Sequence, residues 1–241
     1  MIGRRLKDWL RDPAYDLLER SPARYCERIR RRGGQVAVVT PASEIMIEGY
    51  QGSANSFARA AFLHANPTVQ VASHVHAVAH VERGLDLGVP VMVLLREPES
   101  AAVSYVQRFP HVSVPTAITR YTRFHRRLWP LRDRVLLVGF DLVTTDFGRA
   151  ITALNDRFGT DFAPYVATDR AREEVFDRLD VAAATFTGFD VASARPASAR
   201  SVDRSALVAQ IRGYRGGRAL RAATESYERL TVQVPAELRV T

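Results

Sequence analysis

Apolar and polar positions along this chain separate into short unbroken apolar runs and longer amphipathic stretches. Ile45 to Ile47, Val91 to Leu95 (VMVLL) and Val135 to Phe140 (VLLVGF) are the runs, and Val69 to Ser73 (VQVAS) reads as a further short strand. Apolar residues in unbroken succession suit strands buried on both faces. Between them the spacing predicts helices from near Ser56, over Val78 to Leu87, Glu99 to Gln107, Thr116 to Leu128 and Phe147 to Phe158. The last carries Ile151, Leu154 and Phe158 on one stripe. Gln35 to Thr40 (QVAVVT) adds a β-rich run ahead of them. Strands alternating with helices predict an α/β fold, a parallel β-sheet flanked by helices on both faces. In such folds crossovers are right-handed and ligands bind beyond the carboxyl ends of the strands.

The two ends of the chain read differently. Residues 1–34 hold Leu6, Trp9, Leu10, Leu17 and Leu18 at loose helical spacing, broken at Pro13 and Pro22 and stopped at Gly33-Gly34. They read as a basic helical extension to a single domain over 35–241. Asp169 to Leu179 predicts a charged helix. Ala182 to Ser201, rich in Ala, Ser and Thr, predicts a mobile loop, and 163–202 as a whole reads as a lid over the sheet edge. Ser205 to Ile211 and Arg218 to Leu230 close the chain as helices, with a short strand expected at Leu230 to Val234.

Charge adds a partner class. The chain carries a formal +8, and all but one of its 34 basic residues are arginine, Lys7 being the exception. Such arginine bias accompanies GC-rich genomes and points to a bacterial source. The excess favours an anionic partner: a nucleotide, a sulfate or phosphate ester, an acidic glycan or a membrane surface. The basic arm at 1–34 is where peripheral membrane contact would fall. Nucleic acid is not expected, because no recognition motif with interleaved aromatics is present. Cys26 is the one cysteine, which rules out an intrachain disulfide. No apolar run approaches transmembrane length, and the charged N-terminus lacks the apolar stretch of a secretory signal, so the expectation is cytoplasmic.

The candidate chemistry centres on Glu44 to Leu63, EIMIEGYQGSANSFARAAFL. It reads as strand, tight loop (Gly49 to Asn55) and helix. That arrangement aims backbone N–H groups and a positive helix dipole at one point, where an anion belongs. Tested as a nucleotide-triphosphate P-loop it fails twice: the second Gly is Ala54 and the Lys is Asn55. Asp141 is the nearest candidate for an acidic Mg²⁺ ligand, so an ordinary ATPase or kinase is disfavoured.

Another pattern fits better. Tyr50-Gln51-Gly52-Ser53-Ala54-Asn55-Ser56-Phe57 resembles the sulfotransferase loop Tyr-Pro-Lys-Ser-Gly-Thr-Thr-Trp, and more closely the Pro-Arg-Ser-Gly-Asn-Thr-Phe of bacterial relatives. Leu95-Arg96-Glu97-Pro98 continuing to Ser104-Tyr105 resembles the Arg-Asn-Pro…Ser-Tyr element of the same family. Val138-Gly139-Phe140-Asp141-Leu142, with the helix after it and Arg157-Phe158-Gly159-Thr160, resembles a third block of it. The resemblance covers roughly residues 44–162. It implies a P-loop NTPase-like sulfotransferase fold and transfer of a sulfuryl group from 3′-phosphoadenosine 5′-phosphosulfate (PAPS) to a hydroxyl of a glycan, glycolipid or small metabolite, without a metal. It implies that Gly52, Ser53, Ala54, Asn55, Ser56 and Phe57 surround the phosphosulfate. Arg96 and Ser104 would hold the 3′-phosphate. The base that takes the acceptor's proton would be His74, just after the second strand, or His76. A His74/His76/His80 zinc site, with the last two i,i+4 on a helix, lacks a carboxylate or cysteine to complete it.

One departure stands out. The cation that this family places in its loop falls at Gly52. Losing a charged transition-state donor commonly costs on the order of 10²–10³ in rate. Either another arginine replaces it, with Arg59, Arg120, Arg123, Arg126 and Arg127 as candidates, or the protein binds the nucleotide and transfers slowly or not at all. Arg200, Arg204 and Arg215-Gly216-Gly217-Arg218 are candidates for a C-terminal basic contact.

Overall fold

The computed structural model describes residues 19–32, 37–184 and 204–239. Its centre is a four-stranded, all-parallel sheet of β1 (Ile45–Gly49), β2 (Val71–Ser73), β3 (Val91–Leu95) and β4 (Leu136–Gly139), in the order β2-β1-β3-β4. The apolar runs form these strands because both faces are covered. β1 and β3 are buried along their whole length.

Helix α1 (Pro22–Arg32) precedes the sheet, and α2 (Asn55–Ala65) and α3 (Val78–Asp86) connect its first three strands. α4 (Pro98–Arg108) and α5 (Val114–Leu128) lead to β4. α6 (Phe140–Thr145), α7 (Phe147–Phe158), α8 (Asp169–Ala184), α9 (Arg204–Arg212) and α10 (Tyr214–Thr231) follow. The chain moves outward from β1 to β2 and then back across β1 to β3, so right-handed crossovers put α2 and α3 on opposite faces. α2 packs with α6 and α8, while α3 packs with α1 and α5. α5 in turn packs with α4 and α10.

Several expectations are corrected. Of the run 35–40, the described residues form no strand: Ala37 makes one antiparallel bridge to Ser73, and the Val39 amide donates to the His80 ring instead of to a ladder. No strand forms at 230–234, because α10 runs through Leu230 and Thr231 and a turn follows. Within the expected lid, 169–184 is a helix seated on α2; the rest of the expected loop, 185–202, lies outside the described residues. α1 begins at Pro22, as a proline at the first helical position allows. Its Tyr25, Cys26 and Ile29 belong to the main core. No helix among the described residues is long and apolar enough to cross a membrane.

Candidate functional site

Strand registers bring the carboxyl ends of the sheet together: Ile47 lies opposite Ser73, Gly49 opposite Leu94, and Leu95 opposite Gly139. The loop after β1 departs toward β2, and the loop after β3 departs toward β4. The crevice between these two diverging loops is a topological switch point, where open parallel sheets bind ligands.

The turn after β1 is built by backbone demands. Gly52 has φ +82°, and a Cβ there would lie 2.8 Å from the Ala101 carbonyl oxygen and 3.0 Å from Ser104 Cβ. Gly49 is equally confined, its virtual Cβ lying 2.7 Å from Leu94 O. Ala54, in the left-handed region at φ 65°, starts α2 without a side-chain cap. The N–H groups of Asn55, Ser56 and Phe57 therefore have no intrahelical partner. The Ser53 hydroxyl is fully buried and unpartnered in the same turn, a donor left to be satisfied there. The Asn55 side chain turns inward, its Nδ2 donating to Tyr50 O (3.0 Å) and, at longer reach, to Gly49 O. These bonds lock the turn, while its Oδ1 is buried without a partner, as the Ser53 hydroxyl is.

The second loop meets the first. Arg96 Nη1 donates to Gly52 O at 2.6 Å, with its guanidinium 3.9 Å above the Phe140 ring centroid. Ser104, one helical turn and a half into α4, lies against Gly52. α5 braces both loops from behind. Tyr50 Oη donates to Ala117 O (2.7 Å), Tyr121 Oη donates to Arg96 O (2.5 Å), and Tyr50 packs edge-on against Tyr105 and Tyr121. The N-terminus of α4 is closed to anions, because the Glu97 carboxylate accepts from the Glu99 and Ser100 amides. An anion between these loops is therefore left with α2's terminus, the Ser53 hydroxyl and the Arg96 fork.

The link from β2 to α3 brings both histidines to this edge. His74 and His76 have φ of 67° and 56°, in the left-handed region. His74 Nε2 lies 3.1 Å from Ser56 Oγ, and its Nδ1 lies 2.8 Å from Ser73 Oγ. Burial pushes the His74 imidazole down to about 3; the His76 ring and the Arg59 and Arg108 charges add to this, and Glu48 opposes it. His76 Nδ1 lies 2.8 Å from Gly49 O. A carbonyl only accepts, so Nδ1 carries the proton and Nε2 presents the lone pair. Burial also lowers the His76 pKa, against the pull of Glu48. Ser56, expected to face a phosphate through its hydroxyl, instead shares that hydroxyl with His74. Phe57 is a packing residue, its ring near Tyr165 and Phe176.

The zinc arrangement is corrected in two respects. His76 precedes α3, so it does not share a helix with His80. A carboxylate does sit in the cluster, Glu48, but among the described residues no group of three or more ligating side chains is arranged for a metal. Of the replacement cations, Arg120 bonds Tyr105 Oη, and Arg123 and Arg127 pair with Glu19. Arg126 is exposed. Arg59 is half-buried with its charge felt at His74, and burial lowers its pKa. Arg108, at the end of α4, acts on both histidines and escaped the sequence reading. Arg212, near the expected C-terminal basic contact, pairs with Glu99 of α4; Arg200 lies outside the described residues. A separate cavity of about 140 Å³, lined by Arg132, Asp133, Leu136 and Arg157 at the amino end of β4, holds none of the expected site residues.

No protein-family model matches this chain, and a search of curated proteins finds no relative.

Proposed function

We propose that this protein is a PAPS-dependent sulfotransferase on a P-loop NTPase-like scaffold, acting on a hydroxyl of a glycan, glycolipid or small metabolite. The observation that carries the reading is the contact of Arg96 with Gly52 O beside Ser104. Two loops that each resemble a sulfotransferase phosphate-binding element meet over one uncapped helix terminus. The residues fit the nucleotide. The α2 amides and Ser53 Oγ suit the phosphosulfate, and Arg96 with Ser104 suits the 3′-phosphate. When bound, PAPS supplies the activated sulfuryl group.

The chain's own residues supply the proton path and the charge. His76 is the better placed base, since its Nε2 has no hydrogen-bond partner among the described residues, whereas His74 Nε2 is held by Ser56. Arg59 stands closest in role to the loop cation missing at Gly52, being half-buried, unpaired among the described residues and electrostatically coupled to His74. Calorimetry with PAP, the desulfated product, should give binding that Arg96→Ala weakens at least tenfold. Radiolabelled sulfate should move to an acceptor panel in wild type, and far less in His76→Ala and Arg59→Ala. Absence of PAP binding would end the reading.

A second reading has its own observation. Position 52 has no room for any side chain, so this loop cannot itself carry the family's cation. A catalytically weak or inactive PAPS- or PAP-binding protein on the same scaffold follows if PAP binds and no acceptor is sulfated.

A further inference from the structure

Glu48 is a carboxylate with no solvent exposure in an otherwise apolar strand, immediately before the anion-binding turn. An ionised group in that position is strongly disfavoured unless its lone pairs are satisfied. They are. Oε1 accepts from the Val75 amide and from His80 Nδ1, both at 2.8 Å, and Oε2 accepts from the His76 amide at 3.1 Å. His76 Nδ1 itself lies 3.8 Å from Oε2. His80 is a strut of fixed tautomer: its Nε2 accepts the Val39 N–H at 2.8 Å, so its proton sits on Nδ1 and is given to Glu48.

Val75 and His76 belong to the link between β2 and α3, and His80 lies in the first turn of the helix that anchors its far end. That link holds two histidines in the left-handed region, where a residue with a Cβ is strained. Such a conformation persists only where its surroundings over-determine it. The two amides gripped by one carboxylate do so here.

We propose that Glu48 is the positioning residue of this histidine link: it orients His76 with Nε2 toward the site and holds a fixed negative charge behind the ring as the ring takes up a proton. This rests on the sulfuryl-transfer reading. In that reaction the acceptor's O–H proton passes to His76 Nε2 as its oxygen bonds to sulfur. The bond from sulfur to the nucleotide's phosphate oxygen breaks, and the electron pair stays on that phosphate. The imidazolium keeps its Nδ1–H on Gly49 O, with Glu48 close behind, and later loses the extra proton to solvent.

The groups facing His76 are Glu48 from β1, His74 in its own link (ring centroids 5.8 Å apart), His80 from α3 and Arg108 from α4. Among them Glu48 is the one anion, and it favours the protonated ring.

The test compares wild type, Glu48→Gln and Glu48→Asp. His76 is titrated by NMR on histidine-labelled protein, with PAP affinity and sulfate-transfer kinetics measured alongside. In Glu48→Gln the His76 midpoint should fall by about one pH unit or more, and kcat should fall at least tenfold with PAP affinity within threefold of wild type. Glu48→Asp keeps the charge and should restore most of the midpoint. It also decides the matter if the Gln variant does not fold, by showing a smaller shift in the same direction. A folded Glu48→Gln whose His76 titrates as in wild type overturns the proposal. A wild type that transfers no sulfate, with the midpoint shift still present, removes the reaction and leaves the role of Glu48 standing.

Discussion

Gly52 shows how tightly single residues are specified at this edge. Its φ of +82° suits glycine, and the nearest obstacle to a Cβ is the Ala101 backbone carbonyl, which cannot rotate aside. Gly52→Ala should lower stability by roughly 1–3 kcal/mol in urea denaturation and abolish measurable PAP binding. An alanine variant binding PAP like wild type would mean that the turn is not the anion site. The placement of Gly52, Ser53, Arg96 and the two histidines at one edge of the sheet was legible in the sequence because each follows a strand end. Glu48 was not. It sits inside an apolar run, and its partners Val75 and His80 lie 27 and 32 residues away in the chain. The available signal was a lone carboxylate at the end of a buried strand, with His76 and His80 both still to be placed.

At the scale of elements, the strands and the helices between them follow the hydrophobic pattern closely, since burial on both faces leaves little choice of register. β3 and α7 have the bounds read from sequence. The errors fall where local pattern competes with tertiary demand. QVAVVT has strand composition, but the Val39 amide goes to His80 and no ladder follows. α8 was read as ending at Leu179 although it runs to Ala184, because Val181 and Ala182 are exposed and give no amphipathic signal. α8 is joined to the loop helix α2 through Phe57 and Phe176, whose centroids are 5.9 Å apart. Phe176→Ala should cost about 1–3 kcal/mol, below the value for a full core phenylalanine because the ring is only partly buried. Hydrogen exchange should quicken over 169–182 and not in β1 or β3. Uniform quickening across the sheet would count against this local attachment.

For the whole molecule, three partly or fully buried imidazoles set the acid limit. Burial lowers His74 from its ordinary 6.5 to about 3 and His125 to about 4, and it lowers His76 too. Below pH 6.5 the unfolded chain takes protons that the folded chain refuses, so stability falls as pH drops. The loss is at most roughly 1.4 kcal/mol per pH unit for each ring. For Glu48, burial alone would raise the pKa, but the His80 hydrogen bond, the neighbouring histidines and the Val75 amide outweigh it and hold the group at about 2. Its contribution is present above 4.5 and is lost as pH falls from there toward 2. Melting midpoints measured at pH 7, 6 and 5 should therefore decline well before any carboxylate titrates, and a flat profile over that range would contradict the burial of these rings.

The strand order also has a consequence for how the protein is made. When Gly49 leaves the ribosome, neither neighbour of β1 has yet emerged, and the strand that will later border it on the inner side does not begin until Val91. Until then Ile45, Met46 and Ile47 sit on a nascent chain with both edges open, an invitation to wrong pairing. The junction of the two loops cannot take shape until Arg96 has emerged, nor be braced until Tyr121 has. Translation that halts between those two points would leave a half-built pair of loops exposed to whatever the cell offers it.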